Sequence, residues 1–84
     1  MASRRYEVFH GDGGHCGPYA DFNTAEASAR VSAKRQARLR DCGAGSARIA
    51  QYDAEAPGGY LFTHRVNANR CRSCDEIHVC IEPA

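Results

Sequence analysis

Three of the chain's five cysteines and one of its four histidines fall within "NRCRSCDEIHVCIE", positions 69–82. Cys71 and Cys74 have the C-x2-C spacing with which a tight turn offers two thiolates to one ion, and zinc takes four soft or borderline ligands in a tetrahedron. His78 follows four residues on, on the side of its strand opposite Ile77, Val79 and Ile81, from which it can turn back towards the knuckle. The fourth ligand has to come from elsewhere. Cys16, in the glycine-rich "HGDGGHCGPY", is the expected one, with His15, His10 and Cys80 behind it. The expected cofactor is one structural zinc held by Cys16, Cys71, Cys74 and His78.

The same residues admit other chemistry. A redox role for Cys71 and Cys74 needs the knuckle to open a helix, whose amides would lower a thiol pKa; this knuckle opens a strand. Cys16 as a nucleophile needs a base, for which His10 and His15 are candidates, and the loop amides would stabilise an oxyanion. No third group can be assigned to orient that base, and 84 residues leave little room for a substrate cleft. The glycines form neither a G-x-G-x-x-G nor a Walker pattern. The expectation is therefore a protein that is not an enzyme.

Positioning these groups falls to a few short elements. "RRYEVFH", Arg4 to His10, alternates as a strand, and "GDGGHCGP" breaks it into a loop. "DFNTAEASARVSAKRQARLRDCG" reads as a helix capped by Asn23, with Glu26 completing a capping box and Gly43 as the stop. At 100° per residue, Ala25, Ser28, Val31, Ser32, Leu39 and Cys42 form its core side, Cys42 as a small hydrophobe, while Arg30, Lys34 and Arg38 lie opposite. Strands are expected at Ala47 to Tyr52 and Tyr60 to Val66, joined by "DAEAPGG". After the irregular "NANRCRSC" comes a last strand, "EIHVCI", with Ile77, Val79 and Ile81 on its core side. The fold class is α+β, a single domain over residues 1–84 in the order β-α-β-β-β, with one helix on a mostly antiparallel four-stranded sheet. One helix covers one face, so the other is solvated or is a contact surface.

A chain this short hides only about 60% of the surface its unfolded form exposes. Leu, Ile, Val and Phe are few and Ala is abundant, so a thin core calls for a staple such as a metal or a partner subunit. No apolar run approaches the roughly 18 residues of a membrane span, and "MASRRYEVF" has no apolar region after its arginines; a cytoplasmic chain is expected, where thiols stay reduced. Net charge is +1, yet Arg30, Lys34, Arg35, Arg38, Arg40 and Arg48 face only Asp41 between positions 30 and 48. That asymmetry suggests a basic face for an acidic partner, with Arg30, Lys34 and Arg38 at its centre.

Two resemblances add to this reading. "CGPYADFNTAEA" followed by C-x2-C-x3-H at a final strand resembles the small zinc-ribbon proteins of phages and actinobacteria, in which a first cysteine, an aromatic residue and an Ala-rich helix precede a C-x2-C-G-x-W-H ending. The matching positions are Cys16, Tyr19 or Phe22, the helix from Thr24, Cys71, Cys74 and His78; Asp75 stands in the glycine position, Ile77 in that of the Trp, and a hairpin intervenes. The size, element order and Ala- and Arg-rich composition resemble proteins of phages and mobile elements, including the anti-CRISPR families. That resemblance implies binding to a host protein or ribonucleoprotein complex and blocking its access to DNA. The expected function is such a non-catalytic inhibitor, with a zinc-stabilised nucleic-acid-binding module as the alternative, in which Arg30, Lys34, Arg38, Arg70 and Arg72 contact phosphates. A net charge of +1 speaks against the alternative, since dedicated binders are usually more basic.

Overall fold

The computed structural model describes residues 5–84; Arg4, the expected first residue of the opening strand, lies outside them. The chain runs β1 (Tyr6–His10), β2 (His15–Tyr19), α1 (Phe22–Leu39), β3 (Ala44–Tyr52), a single 3-10 turn (Pro57–Gly59), β4 (Tyr60–Arg70) and β5 (Ile77–Pro83). The strands form one antiparallel sheet in the order β2-β1-β3-β4-β5. The α+β class and the single helix agree with the sequence, but the sheet has five strands rather than four. The extra strand is β2, drawn from the expected glycine loop. Gly13 adopts a φ of 101° at the turn, where the His10 N–H donates to Gly14 O at 2.7 Å, and the segment after it folds back along β1.

Asp21, not Asn23, caps α1. Its backbone is extended, and its Oδ1 accepts the Thr24 N–H at 2.7 Å, a bond that holds the Asp21 carboxyl below its ordinary pKa. Starting two residues early brings Phe22 into the first turn, where its ring packs edge-on to Tyr6 at 5.9 Å and against His64 at 4.7 Å. Glu26 has no capping role and instead pairs with Arg30 one turn on, at 3.0 Å.

The buried side of α1 is Ala25, Ala29, Ser32, Ala33, Gln36 and Ala37. Val31 (56%) and Leu39 (78%) are exposed, Ser28 is half-buried, and Cys42 lies exposed beyond the helix end. The reason is steric. A Cβ on Gly45 of β3 would stand 2.1 Å from the Ala33 carbonyl oxygen and 2.7 Å from Gln36 Cβ, so at this contact the helix sits too close to the sheet for any large side chain. Tyr6, Val8, Ala47, Ile49, Val66 and Ala68 meet the alanines, with Ile77, Val79 and Ile81 packed at the margin as the sequence suggested. Ile49, Val8 and Val66 are the largest fully buried side chains, each contributing about 1.5–3 kcal/mol.

A polar clasp supplements this contact. The buried Gln36 amide donates to Ser46 O at 2.8 Å and accepts the Ser46 N–H at 3.2 Å, so the side chain pairs with β3 as a neighbouring backbone would. It also donates to Ser32 Oγ at 3.1 Å, which in turn bonds His10 Nδ1. Helix, β1 and β3 are thereby tied through groups whose hydrogen-bonding capacity is used.

In β4, Ile49 pairs with His64 while Ala50 pairs with Phe62, leaving Thr63 as the extra residue of a bulge. The bulge changes the alternation: His64 turns to the helix side beside Phe22, whereas Phe62 and Tyr60 turn to the opposite face. Gly45→Ala should lower unfolding free energy in urea by about 1–3 kcal/mol through overpacking, while Val31→Ala should stay within about 0.5 kcal/mol of the parent.

Candidate functional site

The β4–β5 connection forms the knuckle expected from the C-x2-C spacing. After Arg70 the chain turns so that the Cys71 N–H donates to Glu76 O at 2.7 Å and the Asp75 N–H to Cys71 O at 2.9 Å. Asp75 takes the left-handed φ of 56° that closes it, a conformation a short polar side chain tolerates. Cys71 is half-buried and Cys74 and His78 are exposed, His78 projecting from β5 opposite Asn69.

Cys71 Sγ, Cys74 Sγ and an imidazole nitrogen of His78 lie within 4.8 Å of one another, a group able to hold a metal ion. Cys74 Sγ is already 3.3 Å from His78 Nε2. Bonds of roughly 2.0–2.3 Å in a tetrahedron place ligand atoms about 3.5 Å apart, so side-chain rotation of about 1 Å closes the triad. Hydrogen bonds from Ser73, 3.1 Å away, and from Cys74 stabilise the Cys71 thiolate and lower its pKa to about 6.

Cys16 does not join them. It stands on β2, at the opposite edge of the sheet from β5, four strand spacings or roughly 19 Å away. The expectation failed because its segment forms a strand on the far side of β1 instead of a loop free to cross the sheet. Its thiol meets Tyr19 OH at 3.2 Å and Ser28 Oγ at 3.3 Å. The reserve ligands are placed elsewhere too: His10 bonds Ser32, His15 Nε2 pairs with Glu7 Oε1 at 3.0 Å, and Cys80 lies farther down β5 opposite Asn67.

The three expected partner-binding residues separate. Arg30 is engaged by Glu26. Lys34 and Arg38 line a surface cavity with Arg70, Asp75, Glu76 and Ile77, where the helix margin meets the knuckle.

A second group of side chains was not assembled from the sequence. On the sheet face away from α1, Phe9 stacks on His15 at 4.8 Å and meets Tyr60 and Phe62 edge-on at 5.6 and 5.4 Å, while Tyr60 meets Tyr52 at 6.0 Å. Arg5 lies 4.1 Å over the Tyr52 ring and Arg48 lies 4.1 Å over Phe62. Arg48 is directly opposite Arg65 in the β3–β4 ladder, and both line a cleft with Phe9 and Asn67. The alternation Glu7/Phe9 and Tyr60/Phe62 carried a signal for this face, but the bulge at Thr63 decides which way the β4 rings point.

Comparison with protein-family models, curated proteins and solved structures finds no match. In metal-free protein, Cys71 should be the first thiol carboxymethylated as pH rises, half-maximal near pH 6 by peptide mass mapping. The sign follows from a lowered pKa, which puts the reactive thiolate at lower pH. Ser73→Ala should move the midpoint upward.

Proposed function

We propose that this protein is a non-catalytic binding module whose helix-free sheet face takes single-stranded nucleic acid. One observation carries the reading: Tyr52, Phe9, Tyr60 and Phe62 share an open face with Arg48 and Arg65, two like charges directly opposite each other. Like charges in that position repel, and a phosphate between them would relieve the repulsion. The exposed Tyr52 ring and the half-buried Phe9, Tyr60 and Phe62 rings would supply the platforms on which unpaired bases stack, whatever their sequence. The low net charge matters less for this mode, because stacking provides much of the affinity and the cations need only be local.

The knuckle serves this module as a staple. We assign it one zinc, on the strength of a soft donor set of two thiols and an imidazole in a protein whose core is thin. Metal removal by chelation should then lower the melting temperature by several degrees, because the binding energy of a structural site is folding energy. An unchanged melting curve with no zinc by elemental analysis would return the knuckle to a plain loop.

Fluorescence anisotropy with labelled single-stranded DNA and RNA oligonucleotides tests the platform. Binding should be tightest at about 50 mM salt, with a slope of log K against log salt near −2, as three arginines, Arg5, Arg48 and Arg65, imply for single strands. Tyr52→Ala, at an exposed ring, should weaken binding about 5- to 100-fold, the range for losing one stacked base, and leave the melting temperature in place. Absence of binding at 50 mM salt would defeat the proposal.

A second reading, inhibition of a host nucleoprotein complex through the basic helix margin, draws support from Lys34, Arg38 and Arg70 lining one cavity. It requires co-purification with such a complex that Lys34→Glu with Arg38→Glu abolishes.

A further inference from the structure

We propose that Cys42 is the fourth ligand of the metal, completing a Cys3His site with Cys71, Cys74 and His78; the inference rests on the metal reading of that triad. A structural zinc site is closed, with four protein ligands, and the knuckle supplies three. The position of Cys42 follows from the β3–β4 ladder. Its last regular pair is Ala44 with Asn69, but the pairing continues outward, since the Arg70 N–H donates to Gly43 O at 2.8 Å. The next residue on each chain is Cys42 on one side and Cys71 on the other.

Both cysteines line one surface cavity, together with Asp41, Gly43, Arg70, Arg72 and Asp75. Gly43 fixes the approach. Its φ of 68° and the 2.9 Å that would separate an added Cβ from Arg70 Cβ hold the turn after α1 directly against the end of β4. Cys42 is exposed there, so it contributes nothing as a small core hydrophobe.

The other candidate donors are set aside by distance or by hardness; Cys42 itself lies outside the 4.8 Å group of the other three, so its exposed side chain has to turn in for the site to close. Cys16 is on the far edge strand, and Cys80 lies two residues beyond His78 along β5, roughly 7 Å farther from the knuckle. Asp41 and Asp75 flank the cavity, but a site already holding two thiolates and an imidazole favours a third soft donor. Zinc with three thiolates and a neutral imidazole carries one net negative charge, which Arg70 and Arg72 on the cavity wall are placed to balance. On binding, the thiol protons that remain on the cysteines leave to solvent. The closed site would join the turn after α1 to the β4–β5 hairpin, at the end of the domain where the alanine contact has finished.

Cobalt(II) titration of the metal-free full-length protein separates the outcomes, because the sulfur-to-cobalt charge-transfer band scales with the number of thiolates. The parent should show tetrahedral ligand-field bands. Cys42→Ser should lose about a third of the charge-transfer intensity and bind at least 10-fold more weakly, as Cys71→Ser should, while Cys16→Ser and Cys80→Ser change neither. Since Cys42 is exposed, its serine variant should keep the parent's metal-free circular dichroism, so a loss reports ligation. If Cys42→Ser keeps full intensity and affinity while Cys71→Ser does not, Cys42 is no ligand and the three-ligand reading survives alone. No charge-transfer band in the parent overturns both.

Discussion

Gly45 of β3 lies so near the Ala33 carbonyl of α1 that not even a methyl group fits between them, and the rest of the molecule is arranged around that approach. A helix at this distance can present only alanine and a few small polar groups, hence the stripe Ala25, Ala29, Ala33 and Ala37. Dispersion contacts are then close and numerous, but the apolar area removed from water per residue is small. The Gln36 amide compensates in part, bonding the Ser46 backbone N–H and carbonyl oxygen just beyond the last β1–β3 pair. The helix can therefore cover the sheet without burying any bulk, and the larger rings have to go elsewhere.

They go to the other face. Tyr6 and Phe22 close the helix side at one end, while Phe9, Tyr52, Tyr60 and Phe62 make a second apolar layer that no element among the described residues covers. Ala50 beneath them is fully buried, so the rings shield the sheet while leaving their outer edges to solvent. Arg5 and Arg48 lie over two of the rings, and such cation–π contacts at a surface are worth about 0.5–1 kcal/mol each. Contacts this weak can be exchanged for a ligand's bases and phosphates at little cost, whereas a packed core could not be.

How much of this could be read beforehand depended on whether the signal was local. Ile77, Val79 and Ile81 against His78 and Cys80 is a period-2 pattern in one short strand, and the structure reproduces it. The seven residues "DAEAPGG" form the β3–β4 connection as expected, with Gly58 and Gly59 at positive φ. The helix was legible, but its buried face only in part: Ala25 and Ser32 lie on it as expected, whereas an apolarity scale weights Val31 and Leu39 above alanine, and only the distance to Gly45 reverses that order. β2 was hidden because its strand "HCGPY" contains a glycine and a proline, both poor strand formers that an edge position tolerates. Cys16 went to the wrong site with it. Cys42 was read as a small core hydrophobe and is exposed instead, and its nearness to Cys71, 29 positions away across a ladder, is one that no spacing rule encodes.

The knuckle stands at one end of the strands, and the ring platform runs from the other end to the middle of the ladder, which bears on how each acts. Tyr52 and Tyr60 are paired at the 3-10 turn end of the β3–β4 ladder, Arg48 and Arg65 midway, and Ala44 and Asn69 at the knuckle end; at about 3.3 Å per step the rings lie up to roughly 26 Å and the arginine pair roughly 13 Å from the knuckle end. Over that span, screened charges act weakly, and no residue belongs to both groups. A metal at Cys71, Cys74 and His78 would thus influence the ring platform chiefly through the population of folded molecules. In a domain with this little core that influence is large, since a few kcal/mol is much of the stability available to a chain of this length. On the proposed reading, a metal-bound knuckle would be a condition for the platform to exist and would take no direct part in contacting what binds there.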